Sequence, residues 1–406
     1  MSCGPTAHRR TLTSGLWATL SEEGFRLFFP VAALYAAFYP LLWILAFGLG
    51  VPLAETVPPS LWHAHEMIVG AFGAALIGFI TTAAPEWTDT EPPRGAWLWR
   101  LLALWSVGRG VGFLGWEDIG LIGALADALW MVGLVGWLVH LSLQRRTDRL
   151  LPFVFWLALL AICTAVGRFG FHVDSFELAS KGIYLAGFAF LGLLGLALSR
   201  ITVPVTNLVL DPSEETSPFR PHPGRLHLAP GLVFVAMMGE AAGLSDAVSG
   251  FLWCAAGAAF MDRVAEGFIG REALRAEILM LAGSSALAGG GLILFGAARL
   301  GAFWSEVSGL HVAFMGGLGV GTYAVFAIAG LLHTDQPLGL SIRTRFGANC
   351  LVAAVALRVA PDFGVDLPGP MYAVASLLWT AGFLLRLVAY WPAISGRGNL
   401  GDDVSA

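Results

Sequence analysis

Four histidines stand at the edges of long apolar stretches, where an imidazole could bind a metal ion. His63 and His65 begin one stretch, His311 begins another, and His172 follows a third. Neutral imidazole is a ligand for zinc, copper and iron, and a histidine in or near a membrane-spanning helix usually has a partner there. If the fold brings the four to one face, the sequence predicts a histidine-based metal site. Taken singly, each could equally be a histidine packed at the membrane interface.

The spacing around the histidines limits how they could share a metal. In an α-helix, residues two apart point about 200° from each other, so His63 and His65 cannot both bind one metal from a regular helix. His63 and Met67 are four residues apart and share a helix face, as do His311 and Met315. A thioether beside an imidazole suits copper. We predict Met67 as a further ligand, with simple packing as the alternative for both methionines.

Two arginines end apolar stretches on the side opposite to most of the positive charge. A guanidinium group pairs well with a carboxylate. We therefore hypothesise that Arg109 and Arg168 bind carboxylates of a cofactor, such as haem propionates. The alternative is pairing with carboxylates of the chain itself, for which the candidates are Glu117, Asp118, Asp174, Glu177 and Glu306.

Three further ionisable groups lie within or at the end of apolar stretches: Asp127, Glu240 and His333. Ionisable groups inside a membrane are functional candidates by default. For the two carboxylates, a proton or ion path and a structural ion pair with Arg358 or Arg386 stay open as alternatives. His333 is predicted as a metal ligand, at the opposite end of its helix from the other histidines.

The elements that must position these residues are transmembrane helices. Of the 406 residues, 57% are hydrophobic and 13% are charged, whereas a soluble domain carries about 25% charged residues. The mean hydropathy is +0.73. A bilayer core of about 30 Å needs roughly 20 apolar residues per helix. We predict an all-α transmembrane bundle of about twelve helices, near residues 28–50, 64–84, 97–114, 119–141, 150–168, 181–199, 229–244, 247–262, 276–297, 308–331, 347–360 and 370–392.

The positive charges predict the orientation, because cytoplasmic loops carry an excess of Lys and Arg. With both termini in the cytoplasm, most of the 23 positive residues fall on the cytoplasmic side. The bundle, 28–392, then follows a cytoplasmic segment, 1–27, contains a polar central loop at 205–228, and precedes a cytoplasmic tail, 393–406. The four histidines at the stretch edges fall at the periplasmic face. The positive residues that fall outside are Arg109, Arg168, Lys181, Arg299 and Arg358.

The cysteine and charge patterns argue against several other classes. The four cysteines form no CxxC pair and no CxxCH motif, which argues against a zinc ribbon, a thioredoxin-like site and a covalent c-type haem. No block of like charges indicates a nucleic-acid partner. HEMIV at 65–69 lacks the second histidine of HExxH, so a zinc protease is not indicated. The first 27 residues show no signal-peptide pattern.

Several segments resemble the NnrS family of bacterial membrane proteins. WHAHEMIVGAFGAALIGFITTAAPEWT, at 62–88, is similar to the family's most characteristic stretch. The segments 25–38, 104–109 and 311–338 resemble its first span, its third span and its late histidine segment. The resemblance covers nearly the whole chain. It is weakest around His333, where the family's flanking glycines are replaced.

The resemblance implies a haem- and copper-containing protein of the bacterial cytoplasmic membrane, linked to nitric oxide metabolism and tolerance of nitrosative stress. One or two of the outer histidines would bind a noncovalent b-type haem, and another would bind copper with Met67 or Met315. Nitric oxide would be the small-molecule ligand, within a lipid bilayer. The alternatives are a membrane transporter, for which twelve spans are a common layout, and an assembly factor that delivers haem or copper to a respiratory enzyme. Whether the chain catalyses a reaction does not follow from the sequence.

Overall fold

The computed structural model describes residues 15–49, 57–114, 120–366 and 369–396. Every regular element in these ranges is helical, which confirms the predicted all-α class. The α-helices are α1 Leu16–Leu20, α2 Gly24–Leu49, α3 Pro59–His65, α4 Gly73–Thr88, α5 Ala96–Leu114, α6 Gly120–Arg145, α7 Leu151–His172, α8 Phe176–Leu210, α9 Arg225–Ala241, α10 Asp246–Val264, α11 Ala276–Arg299, α12 Glu306–His311, α13 Val320–Leu332, α14 Ile342–Val359 and α15 Met371–Ile394.

Parts of the predicted organisation fall outside these ranges. They are the first half of the segment 1–27, the end of the tail 393–406, and the candidate arginine partners Glu117 and Asp118.

The described helices support a protein that crosses the membrane several times. Within the described ranges, nine helices are long and apolar enough to span a bilayer. Helices α5, α9 and α10 form at the three other predicted positions. The count of twelve crossings and the placement of both termini in the cytoplasm stay predictions.

Three of the candidate spans form the centre of the bundle. The most apolar window is 89% buried in the span Pro59–Thr88, 89% in α8 and 78% in the span Glu306–Leu332, against 33–67% in the other candidate spans. A Cβ atom added to Gly187 of α8 would lie 2.6 Å from Phe314 and 3.1 Å from Ile68. Because Ile68 and Phe314 belong to the other two central spans, α8 lies between them.

The outer helices expose apolar side chains that water would not favour. On α6, large apolar residues are exposed along one face while Asp127, Trp130 and Leu134 are buried on the other. Lipid is the solvent that suits such a face, since contiguous apolar surface of this kind is uncommon on soluble monomers. The exposed residues of α6 are Leu121, Ile122, Leu125, Leu129 and Val132.

A π-helix interrupts both histidine-bearing central spans. The first, π1, covers Glu66–Phe72 and begins directly after His65, the last residue of α3. The second, π2, covers Val312–Gly319 and begins directly after His311, the last residue of α12. π-helices are rare and frequently lie at functional sites. Both spans therefore place a histidine at the start of a widened turn.

The two π-helices share a glycine spacing. Glycines stand five and eight residues after each histidine, at Gly70 and Gly73 in π1 and α4 and at Gly316 and Gly319 in π2. A Cβ atom at Gly316 would lie 2.9 Å from a side-chain atom of Leu287 on α11. Small residues let helices approach closely. The shared spacing thus goes with close packing around the widened turns.

The polar loop between α8 and α9 covers residues 211–224. It is shorter than the predicted loop at 205–228, because both helices extend further than expected. The side chain of Asn207, in the last turn of α8, accepts from the backbone N–H of Phe219 at 2.7 Å and donates to its carbonyl at 3.2 Å. Asp211 accepts hydrogen bonds from Ser213 and Thr216. These side-chain contacts fold the loop onto the helix end.

Candidate functional site

The first candidate site is built on the short helix α3. Pro59 stands in its first turn, where the missing N–H has no intrahelical partner to lose, and the helix ends at His65. His65 is completely buried, and Trp62 stacks on its ring with centroids 5.2 Å apart. The Nδ1 atom of His65 lies 2.8 Å from Oε1 of buried Glu66. The stacking and the hydrogen bond together fix the imidazole inside the bundle.

Glu66 connects this histidine to two other helices. Its Oε2 atom accepts a hydrogen bond from the hydroxyl of Tyr35 on α2. The Nε atom of Arg109, on α5, lies 2.8 Å from the same oxygen, as an ion pair without hydrogen-bond alignment. One carboxylate therefore ties α2, π1 and α5 together.

Asp127, on α6, is the second buried carboxylate. Its Oδ2 atom lies 2.8 Å from Nη2 of Arg109 and 2.5 Å from Nη2 of Arg168 on α7. Trp130 donates its indole N–H to Oδ1 at 3.3 Å. The Nε2 atom of His65 lies 3.9 Å from Oδ2. Asp127 thus joins α5, α6 and α7 to the start of π1.

The charges in this buried region compensate each other. Two carboxylates face two guanidinium groups, so the ionised set has no net charge when the histidine is neutral. A buried charge without a partner is strongly destabilising, and inside a membrane the cost is largely avoided by pairing. Together, six side chains form what we call the ionic cluster: Tyr35, His65, Glu66, Arg109, Asp127 and Arg168.

Two glycines let helices approach the ionic cluster. A Cβ atom at Gly70 would lie 2.5 Å from a ring carbon of Tyr35, and one at Gly108 would lie 2.6 Å from Oδ1 of Asp127. Trp105 donates to the carbonyl of Gly70 at 3.0 Å. These positions leave no room for a side chain, so the cluster depends on them.

The second candidate site lies at the corresponding point of the other central span. Ser305 caps α12 by accepting the N–H of Val307 at 3.1 Å. The Nδ1 atom of His311 lies 2.8 Å from the carbonyl oxygen of Val307. A carbonyl oxygen only accepts, so Nδ1 carries the proton and Nε2 carries a lone pair. Metal-binding histidines commonly use this arrangement, with the second ring nitrogen donating to a fixed acceptor.

His63 lies outside the ionic cluster. Its ring stacks on Tyr39 of α2, with centroids 5.9 Å apart. Because α3 is a regular helix, His63 and His65 have different partners. The structure therefore places the two histidines of α3 in different surroundings, and a site shared by His63 and His311 stays a prediction.

The sequence comparisons cover this whole arrangement. A family model described as "NnrS protein" matches residues 19–397. The chain belongs to the NnrS family. No curated protein matches it. The matched region includes both π-helices and the ionic cluster, so the geometry above lies within the NnrS-family part of the chain.

In this NnrS-family chain, the two arginines predicted to bind haem propionates are already paired. The guanidinium groups of Arg109 and Arg168 both contact Asp127, and both arginines are buried. Asp127 therefore already supplies both guanidinium groups with the kind of partner that a propionate would provide. Their role in cofactor binding stays a prediction, and the contacts favour the alternative of pairing within the chain.

Asp127 and Glu240 do not form the ion pairs that were one of two open alternatives for them, pairs with Arg358 or Arg386. Asp127 lies in the ionic cluster, and partly buried Glu240 lies 3.2 Å from Arg299. Arg386 donates instead to a backbone carbonyl of α13 at 2.6 Å. Arg358 lies over the ring of Tyr372. Sequence position could not reveal which outer helices are neighbours, and that adjacency decides the pairs.

The two candidate methionines are partly buried. Met67 packs with Trp62 and with Tyr39, the residue on which His63 stacks. Met315 packs against the main core of the bundle. These contacts agree with a packing role, and ligation of copper by Met67 stays a prediction.

The other two predicted histidine ligands lie apart. His172 is the last residue of α7 and is exposed, and it makes no hydrogen bond, ion pair or ring contact with other described residues. His333 follows α13 at the opposite end of its span, where its Nδ1 atom lies 3.4 Å from Glu86 and its ring stacks on Phe25. Neither is brought to His63 or His311 by a contact of these kinds.

The donor set near His63 and His311 is smaller than a closed metal site requires. In the ranges that the structure describes, no group of three or more His, Cys, Asp or Glu side chains could hold a metal ion. Haem iron needs only one or two axial ligands from the protein. The glycines that follow His311 give a planar macrocycle such as haem no open surface to lie against. A Cβ atom at Gly317 would lie 2.7 Å from Ala288 of α11, so that helix covers them.

Sequence reasoning does not single out two members of the ionic cluster. Glu66, like Asp127, is an ionisable residue within an apolar stretch, so the criterion that identifies Asp127 could also have identified Glu66. Tyr35 carries no comparable signal, because tyrosine is common in membrane helices near the interface. Its role depends on α2 packing beside π1.

Proposed function

We propose that this NnrS-family membrane protein binds haem and copper and acts in nitric oxide metabolism or in protection against nitrosative stress. His63 and His311 are the proposed ligands, at the predicted periplasmic face. The observation that supports the proposal best is the bond from His311 Nδ1 to the Val307 carbonyl, which leaves Nε2 as a lone-pair donor. His63, from the other central span, is held by its stacking on Tyr39.

The residues of the chain would bind and orient the metal centre. Haem iron or copper, when bound, supplies a centre that coordinates nitric oxide. His311 is held by its own helix, because Ser305 caps α12 and the Val307 carbonyl fixes the imidazole. His63 is held by stacking on Tyr39. These two supports differ in kind, so the two histidines need not bind the same centre.

The ionic cluster has a positioning role in this proposal. It holds π1, α5, α6 and α7 together and therefore sets where α3, and with it His63, stands. Arg109 and Arg168 act here as partners of Asp127. Removing the cluster is expected to disturb the bundle as a whole, whereas removing His63 or His311 is expected to affect metal content alone.

The test is the haem and copper content of the detergent-purified chain. We expect absorbance that shifts on addition of nitric oxide in the wild type. In His63→Ala and in His311→Ala we expect haem or copper content to fall by at least about tenfold, since even loss of an outer-shell partner has an effect of that size. Elemental analysis and a haem assay measure both quantities.

His172→Ala is the matched control, because His172 is exposed and lies apart from the other two histidines. It should retain the wild-type metal content and elute as the same single species. A wild-type protein free of metal and haem would contradict the proposal and favour the transporter. Metal that is bound but released to an added respiratory apoenzyme would favour the assembly factor.

A further inference from the structure

The centre of the bundle contains a cavity that the proposed metal site does not use. Its volume is about 70 Å³, and it lies where the three central spans meet. Phe72 at the end of π1, Phe190 of α8 and Leu318 of π2 each form part of its wall. Both π-helices therefore border the same cavity, with α7 and α13 completing the wall.

The wall of the cavity is almost entirely apolar. Of its fourteen lining residues, Thr322 is the only one with a polar side chain, and twelve are buried. No charged residue, histidine, cysteine or methionine takes part. A water molecule needs two to four polar partners, so a cavity of this kind stays dry. Its lining atoms lack partners on one side and would gain dispersion contacts from an apolar occupant.

The size of the cavity limits what it can hold. Pockets for drug-sized ligands are roughly 300–1,000 Å³, so neither a macrocycle nor a lipid headgroup fits. A known apolar cavity of roughly 150 Å³ holds benzene or xenon. At about half that volume, this cavity suits a molecule of only a few heavy atoms.

We propose that the cavity at the meeting of the three central spans is a binding site for small apolar molecules of the size of a diatomic gas. Such molecules partition into lipid, and the outer helices present an apolar surface to the bilayer from which they would enter. The inference does not rest on the proposed metal site, because no candidate ligand lines the cavity.

Xenon is the probe, applied to the full-length chain in detergent. We expect saturable binding, seen as a concentration-dependent shift of the ¹²⁹Xe resonance. In crystals under xenon pressure, density should appear between Phe72, Phe190 and Leu318. The double variant Ala75→Leu/Ala197→Leu fills the cavity from α4 and α8 and should lose this binding.

The control is Ala103→Leu, which makes the same substitution at an exposed position of α5. It should bind xenon as the wild type does. Absence of saturable binding in the wild type, or unchanged binding in a folded double variant, would overturn the proposal. If the double variant does not fold, the position of xenon in wild-type crystals decides. Haem and copper content, measured on the same samples, reports on the metal site separately.

Discussion

His65 and His311 occupy the same place in two similar backbones, yet their surroundings differ. Each ends a short helix, precedes a π-helix and is followed by glycines five and eight residues later. His65 is completely buried and its Nδ1 atom contacts the carboxylate of Glu66. His311 is partly exposed and its Nδ1 atom contacts a backbone carbonyl. The shared histidine and glycine spacing goes with the same backbone geometry. The residue after each histidine, Glu66 or Val312, decides whether a neighbouring carboxylate is available to the imidazole.

The two imidazoles differ in what they are bonded to: His65 is held inside a network of buried charges, whereas His311 keeps a lone pair on Nε2 for the proposed ligand. The imidazole of His65 lies within an ionic cluster whose charges compensate each other. Its removal or loading with a metal would disturb Glu66 and Asp127, which hold the rest of the cluster. The hydrogen bond that orients His311 comes from its own helix. A structural and a binding role can therefore be separated by measuring stability and metal content in the same variants.

The largest expected effect comes from Asp127→Asn. This change removes the carboxylate that holds Arg109 and Arg168. It leaves buried Arg168 without a carboxylate partner and Arg109 with Glu66 alone. We expect a loss of about 3–5 kcal/mol in the free energy of unfolding, or no folded protein. Thermal unfolding in detergent, followed by tryptophan fluorescence, measures it.

The matched control for that change is Asp262→Asn. It breaks the surface ion pair between Asp262, which is 44% exposed, and Arg225, which is 26% exposed. The free energy of unfolding should fall by at most about 1 kcal/mol. Equal effects of the two substitutions would show that the ionic cluster is no more important than a surface pair.

An intermediate effect is expected from Gly108→Ala, which tests how tightly the ionic cluster is enclosed. The new Cβ atom would lie 2.6 Å from Oδ1 of Asp127, so either this carboxylate, which is held by two arginines, or a helix must shift. We expect a loss of about 1–3 kcal/mol. Gly110→Ala on the same helix has open space around its Cβ atom and should gain about 0.5–1 kcal/mol. A neutral result at both positions would mean that α5 and α6 are not closely packed here.

A smaller effect is expected on the His311 side, from Ser305→Ala. This change removes the cap of α12 and should cost about 1 kcal/mol. Hydrogen exchange of the α12 amides should rise while that of π1 stays unchanged. Ser376→Ala, at a partly exposed position of α15, should leave exchange in α12 unaffected. Faster exchange at π1 as well would show that the two histidine regions are coupled.

The smallest effect is expected for Asp211, a partly exposed carboxylate in the loop after α8, whereas Asp127 is buried in the bundle. Hydrogen bonds from Ser213 and Thr216 lower the pKa of Asp211 from 3.8 to about 2. The folded pKa is depressed, so the stabilisation of the loop is fully present above pH 3.8 and is lost as the pH falls through about 2. Amide exchange of Thr216, corrected for its intrinsic pH dependence, should rise in that window only. In Asp211→Asn the rise should disappear.

The helices were predictable because their signal is local. Apolar stretches of about 20 residues mark spans regardless of packing, and helices formed at all twelve predicted positions. The π-helices were not predictable, since their glycine spacing also suits ordinary helix packing. The ends of α8 and α9 extended beyond the expected loop because polar residues can continue a helix past the apolar stretch.

Sequence alone determined the helical class, the multi-pass membrane character and the NnrS family, because composition, apolar length and motif are properties of the chain as written. Tertiary structure alone decided that Asp127 pairs with Arg109 and Arg168, that His65 and not His63 lies in the ionic cluster, and that three spans form the centre. Such contacts join residues up to hundreds of positions apart. Which helices become neighbours is settled by packing and by the need to pair buried charges, and neither can be read from local pattern.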